Sequence, residues 1–447
     1  MKTHSLMTVL GLSLLAVSAL ALPLQAVTFH VNVDDYTLYS DPNTGNEVKL
    51  GGFSGLFPVP GDSSRFYVVS DRGPTYDYII VDADGIDEDV EYKVFLNPDF
   101  GPQIMTIQLL PNGTAEVEDL LPLVRGDGNI ITGLTPTPPS GLVDVDLAEL
   151  PHDPDGLDPE GVTIDPQGNF WVSDEYKPSV AMVSPSGEVL LRLVPEGTLT
   201  GEETVETLDV LPGSLSKRVN NRGLEGLTFA QDGTLYAIMQ RPLANPDKAT
   251  SEASRNIRLL AIDIEAILSD QTEGVVRQLI FRTELVHRSN YAADLFAVTS
   301  FRDQGEAPKT ILLVPERRAD KLFAIEISGA TDITPYEDAE GNLLADPSLT
   351  IEMLDHADLA VLGIKPVKKT VVLNSMTAIN PTLSKCEGVC LVGDYIVLTA
   401  DNDFNLYETV VLDTDPEILP VPIFLQDPTN LPMIHVVPLP HGRAFLR

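Results

Sequence analysis

Glu160-Gly161-Val162-Thr163-Ile164-Asp165-Pro166-Gln167-Gly168-Asn169-Phe170-Trp171-Val172-Ser173-Asp174-Glu175 shows the architecture of this chain in miniature. An acid and a glycine open a short β-prone run. A Pro-Gln-Gly-Asn turn follows, then a hydrophobic strand that stops on two acids. The pattern returns at Glu225-Gly226-Leu227, which leads to Leu235-Tyr236-Ala237-Ile238 and ends at Gln240-Arg241. It returns again at Glu387-Gly388-Val389, which leads to Tyr395-Ile396-Val397-Leu398 and ends at Asp401-Asn402-Asp403. From the Glu to the first polar residue past the strand is 14, 15 and 14 positions. Fixed internal spacing in units so far apart marks a repeated supersecondary element. A degenerate copy replaces the acid with serine: Phe53-Ser54-Gly55-Leu56, then Phe66–Ser70, then Asp71-Arg72.

Around these units the chain is short β runs and turn residues. Runs such as Ile104–Leu110, Val180–Val183, Val189–Val194, Leu259–Ile264, Ile311–Val314, Leu322–Ile327 and Val371–Leu373 alternate with Gly, Pro and Asp-rich breaks. Helical patterning is confined to Ile264–Leu268 and Tyr291–Leu295. An all-β fold follows. A sandwich has no reason to repeat a Glu-Gly-strand-acid unit, whereas each blade of a β-propeller presents the same positions to a central channel. Six blades fit the intervals between copies, and seven are also compatible. The inserts Thr132–Asp158 and Asp332–Asp346 read as loops on one face.

The first residues, Met1-Lys2-Thr3-His4, precede an apolar run from about Leu6 to Leu22 that Pro23 closes. Small residues at Ala19-Leu20-Ala21 and at Ala26 suit cleavage, so residues 1–26 read as a secretory signal and 27–447 as one domain. The expected location is the periplasm or the exterior, with no stable membrane insertion afterwards. The net charge is −37, from 66 acidic and 29 basic residues. Such a surface repels nucleic acid and favours divalent cations. Cys386 and Cys390 are the chain's two cysteines and flank Glu387. Residues four apart on a strand lie about 13 Å apart, so a disulfide here requires a tight loop.

A Glu beside Gly at the inner edge of each blade would point into the channel, and several would form a ring of oxygens. Calcium takes about six to eight oxygen ligands, so Ca²⁺ is the expected cofactor. The candidate metal ligands are Glu160, Asp174, Glu225, Glu387, Asp401 and Asp403, with Asp71, Glu175, Glu316 and Asn402 at neighbouring strand ends. The same pattern also reads as structural latches to backbone amides. Arginines accompany these ends in a chain poor in basic residues. Arg72, Arg222, Arg241 and Arg317 are the candidate substrate-binding groups, suited to an anionic ester. Glu160, Arg72 and His152, which lies in the acidic loop before Glu160, are the candidate catalytic residues. Asp82-Ala83-Asp84-Gly85 partly mimics a calcium loop but reads as a hairpin turn, and Ser214-x-x-Lys217 lacks the companion motifs of an acyl-transfer site.

At these residues the chain resembles the phytase-like family, described as esterase-like activity of phytase. The matching segments are Phe66–Gly73, Asp158–Tyr176, Asn221–Gln240, Val314–Arg317 and Glu387–Phe404, in order across most of the chain. The cysteine pair and the long inserts depart from it. The resemblance implies a β-propeller and an exported protein. The resulting expectation is a metal-assisted hydrolase of phosphate or carboxylic esters with a small anionic substrate. A non-enzymatic binding propeller and a lactonase-like hydrolase are the alternatives.

Overall fold

In a computed structural model, residues 26–81, 90–136, 141–271, 273–285, 296–300, 309–412 and 430–440 are described. They are mostly strand, with few and short helices. The expected signal segment, the Asp82–Gly85 turn and the Tyr291–Leu295 helical turn lie outside the described residues. Every β run singled out from the sequence forms a strand, and Ile264–Leu268 is helical as expected.

The strands form units of four around a ring, and the first and fifth units are joined into one eight-stranded sheet by the parallel pairing of Val27–Asn32 with Thr114–Pro122. The first contains Phe53–Pro58, Arg65–Ser70, Gln103–Leu109 and Thr114–Pro122. The second contains Pro159–Ile164, Phe170–Asp174, Ser179–Val183 and Val189–Pro195, with Thr207–Leu211 added in parallel at its rim. The third contains Leu224–Phe229, Thr234–Met239, Asn256–Asp263 and Val276–Arg282. The fourth contains Phe296–Ser300, Lys309–Glu316, Lys321–Glu326 and Lys368–Leu373. The fifth contains Cys386–Val392, Tyr395–Ala400 and Met433–Pro438, and the N-terminal strand Val27–Asn32 completes it antiparallel to Met433–Pro438. Borrowing its outermost strand from the other end of the chain ties the two ends together.

The innermost strands of these sheets pack on one another in cyclic order, first to second, third, fourth, fifth and back to first. Among the described residues, five innermost strands follow one another around this ring. The interval before Glu160 holds an inserted hairpin, Thr75–Val81 and Val90–Phe95. That hairpin joins Leu142–Val143 and Thr409–Leu412 in a separate sheet. The interval before Glu387 holds one sheet plus a small hairpin, Asn342–Leu343 and Asp346–Thr350, and the helix His356–Val361.

The apolar core lies between successive sheets. Val69 and Ile104 of the first pack with Val162, Phe170 and Val172 of the second. Trp171, Leu227 and Val314 belong to one cluster that links the second, third and fourth. Leu313 and Leu398 join the fourth to the fifth, and Phe53 and Val397 join the fifth to the first. Each sheet thus buries both faces against its neighbours, so shifting one displaces the ring that positions the site. Cys386 and Cys390 are buried, unbridged, and on the same inner strand, as the strand spacing requires.

Candidate functional site

The Glu-Gly pairs sit where the register between the two inner strands of a sheet breaks. The breaks fall between Pro159 and Val162, between Leu224 and Gly226, and between Cys386 and Gly388. The degenerate copy has the same irregularity between Phe53 and Leu56. A bulge re-aims a side chain that the regular pleat would send elsewhere. The glycines are required for close approach, not for a positive φ. A Cβ on Gly161 would come within 2.7 Å of Leu227 Cδ2 and 2.9 Å of the Glu225 carbonyl. One on Gly388 would lie 2.7 Å from Leu56 Cβ. The repeat therefore does two things: it lets inner strands close on one another, and it turns a carboxylate toward the axis.

The result is a polar cavity of about 560 Å³ at one mouth of the ring. All five sheets contribute to its wall: Asp71 and Arg72, Glu160 and Glu175, Gln240, Arg317, and Glu387 with Asp401. The inserted sheet adds Tyr76, Asp77 and Lys93. At its wall, Glu160 and Glu175 meet Asp158 behind them, each of the three placing one carboxylate oxygen within 4.8 Å of the others. All three are buried.

Arginines hold part of this cluster. Arg72 Nη2 lies 2.8 Å from Asp158 Oδ2 and 3.5 Å from Glu175 Oε2. Its Nη1 donates to Tyr176 Oη and, at 2.7 Å, to Asn221 Oδ1, and the guanidinium lies over the Tyr176 ring. Arg222 Nη1 meets Glu175 Oε1 at 3.2 Å, and Arg317 pairs with Glu387. Gln240 Nε2 donates to Glu225 Oε2 at 2.7 Å, leaving the buried Oε1 of Glu225 without a hydrogen bond. Among the described residues, the carboxylate of Glu160, only 6% exposed, has neither a hydrogen bond nor an ion pair.

Burial and mutual repulsion push these acids up. Glu160 is raised well above the usual range, first by desolvation and then by Glu225, Glu175, Asp158 and Glu387. Glu225 is raised by burial and then by Glu387 and Glu175, with Arg317 and Arg222 opposing. Burial lifts Asp158 to about 7 against the pull of Arg72. Burial likewise lifts Glu387 to about 7 against Arg317. Buried carboxylates this close need protons or a cation to balance them. The chemistry of the donor set, all hard oxygens around a partnerless Glu160, suits a hard divalent cation.

Several expected site residues are placed differently. Asp174 faces its own sheet. It accepts from the Asp158 and Tyr176 amides and from Ser179 Oγ, and pairs with the buried Arg192. That network ties its carboxylate to the second sheet. Asp403 pairs with Lys385 at the half-open rim, and Asp401 lines the cavity while its carboxylate accepts the Asp403 amide. Glu316 accepts the Glu284 amide and pairs with Lys369. His152 is exposed, with Nδ1 against the Thr135 carbonyl, and does not line the cavity. Arg241 is buried outside the cavity wall. Asp158 was not among the residues expected to bind metal. Its only sequence signal was its place two residues before a Glu-Gly pair.

Residues 48–404 match the phytase-like family, described as esterase-like activity of phytase. The chain belongs to the phytase-like family. A relative described as an uncharacterized secreted protein of Arthroderma benhamiae is 29% identical over 205 residues. That match covers 37% of this chain and 38% of the relative. Among solved structures, a PQQ-bound aldose sugar dehydrogenase from Streptomyces coelicolor aligns with 93% of this chain and 99% of its own. Its identity is 10% and its TM-score 0.32. The periplasmic gluconolactonase of Pseudomonas aeruginosa aligns with 93% of this chain and 100% of its own, at 12% identity and TM-score 0.28. Similarity this low assigns neither activity nor ligand to the phytase-like chain. No helix among its described residues is long and apolar enough to cross a membrane.

Proposed function

We propose that this protein is an exported, metal-assisted hydrolase of phosphate or carboxylic esters, built on a five-bladed propeller. The observation that carries the reading is Glu160: a buried carboxylate without a partner among the described residues, beside Asp158 and Glu175, at the wall of a cavity wide enough for a small molecule. Asp158, Glu160 and Glu175 would hold Ca²⁺, with Glu225 and Glu387 completing the negative field. Bound there, a divalent cation supplies Lewis-acid polarisation of an ester oxygen. Arg72 then acts as a positioning residue, since its donors are committed to Asp158, Glu175, Tyr176 and Asn221. Arg222, partly exposed on the wall, is the arginine best placed to orient an anionic group. Export rests on the N-terminal signal pattern and on the secreted relative.

A binding propeller without turnover is the second reading, favoured by the Arg72–Asp158, Arg317–Glu387 and Gln240–Glu225 pairings, which resemble latches. Activity on a model phosphoester and a model carboxylic ester separates the two. Chelator-treated protein should lose turnover and regain it with Ca²⁺, and Glu160→Gln should fold and be inactive. Full turnover in excess chelator would sink the metal-assisted reading. A folded, ester-inert wild type would favour the latch.

A further inference from the structure

A second cavity, of about 620 Å³, opens beside the channel mouth and shares Asp77, Lys93, Asn221 and Arg222 with it. The chain carries a net charge of −37, yet Lys93, Arg218, Arg222 and Lys248 all line this space, against Asp77 and Glu91. Two of the cations are neutralised: Lys93 pairs with Asp77, and Arg222 with Glu175. Arg218 and Lys248 have no ion pair among the described residues. The Arg218 Nε is buried without a hydrogen bond. The carboxylates whose field reaches Arg218, Asp174 and Glu175, are committed to Arg192, Arg72 and Arg222.

The wall that carries Arg218 is pinned. Asn221 adopts a left-handed φ of 55°, and Gly223 has no room for a side chain, because a Cβ there would meet the Glu175 carbonyl at 2.2 Å. Asparagine tolerates that conformation, and the turn at Asn221–Gly223 thereby lies close against the end of the second sheet. Asn221 and Arg222 stand between the two cavities, so a molecule with its reacting end in the channel can extend past them.

We propose that the side cavity is an oxyanion subsite, in which Arg218 and Lys248 hold a phosphate or carboxylate group remote from the bond under attack. The subsite stands on its own geometry; the clause about attack rests on the ester-hydrolase reading. The substrate class is then an extended small molecule with an anionic group at the end opposite the ester. Arginine suits the planar, two-oxygen face of such a group, and lysine adds a point charge at the rim.

Calorimetric titration of inorganic phosphate, with acetate in parallel, into chelator-treated mature protein tests the subsite without any metal. The wild type should bind one of the two anions at one site, and the tighter of them names the group. Arg218→Gln should weaken binding by about tenfold or more, the worth of a charge-assisted hydrogen bond. Lys248→Gln, at an exposed position that folding tolerates, should weaken it by less, and Arg218→Lys should retain part of it. Glu160→Gln should leave anion binding unchanged. In turnover, Arg218→Gln should raise KM for an anionic ester, leaving kcat and the neutral ester unaffected. Absence of binding of either anion would overturn the subsite. So would anion binding insensitive to Arg218→Gln and Lys248→Gln but altered by Glu160→Gln, a result that places the anion in the channel and leaves the hydrolase reading standing.

Discussion

Replacing Arg72 with methionine removes the charge that holds the carboxylate cluster while keeping a side chain to cover Tyr176. The guanidinium is almost fully buried and lies 2.8 Å from an Asp158 that is wholly buried. Removing one partner of such a pair strands the other, at a cost of about 3–5 kcal/mol. The size of the loss depends on pH, with a sign fixed by Asp158. Its folded pKa of about 7 exceeds the unfolded value near 4. Near pH ~5 the folded carboxyl already carries a proton, so Arg72→Met forfeits chiefly hydrogen bonds to Tyr176 and Asn221, roughly 1 kcal/mol each. Near pH ~8 Asp158 is ionised in the wild type and the full cost of about 3–5 kcal/mol applies. Urea unfolding of chelator-treated protein at both pH values measures the difference. Adding Asp158→Asn to Arg72→Met should recover about 2 kcal/mol at the higher pH, because the stranded charge is gone. A loss below about 1 kcal/mol at the higher pH, or two effects that simply add, would refute the reasoning.

Glu160→Gln should leave the metal-free protein as stable as wild type or more so, since it replaces a buried carboxyl, whose ionisation burial opposes and which has no partner among the described residues, by a neutral amide of the same shape, while turnover falls to background; thermal melts and ester assays read both. Metal-free wild type should lose stability as pH rises through about 7, because Asp158 and Glu387 are raised by burial and must ionise in place, and added Ca²⁺ should restore stability above that pH; melting curves with and without Ca²⁺ check the sign. Asp174→Asn should destabilise the fold by up to about 3–5 kcal/mol by stranding Arg192, yet the surviving folded protein should keep its metal affinity, as calorimetry would show.

The Glu-Gly repeat made the inner strands legible because both demands on it are local: a bulge that turns an acid inward and a glycine that admits the neighbouring strand. Ser54 shows where the motif thins: its hydroxyl faces Glu387 at 3.5 Å in place of an acid of its own. The fourth inner strand, Phe296–Ser300, carries no Glu-Gly at all. Interval length alone does not say what fills it: Thr75–Val81 and Val90–Phe95 pair with Leu142–Val143 and Thr409–Leu412 in a sheet of their own, a partnership drawn from distant parts of the chain. The fifth sheet also takes its outer strand from Val27–Asn32, a contact no local pattern announces. At the site, Glu160, Glu225 and Glu387 were legible from their bulges, but Asp158 was not. Asp158 belongs to the cluster through Arg72, which lies 86 residues earlier in the chain. Asp174 ends a repeat unit as Asp401 does, and its pairing with Arg192, on a strand of its own sheet, is a contact that the repeat does not announce.

Metal content of the purified mature protein, measured by elemental analysis alongside Glu160→Gln and Glu175→Gln, tests whether the cluster is a cation site. The wild type should retain about one calcium per chain after passage through metal-free buffer, and both variants should retain none while remaining folded. Wild-type protein that holds no divalent metal even when supplied with calcium, or variants that hold as much as wild type, would contradict it.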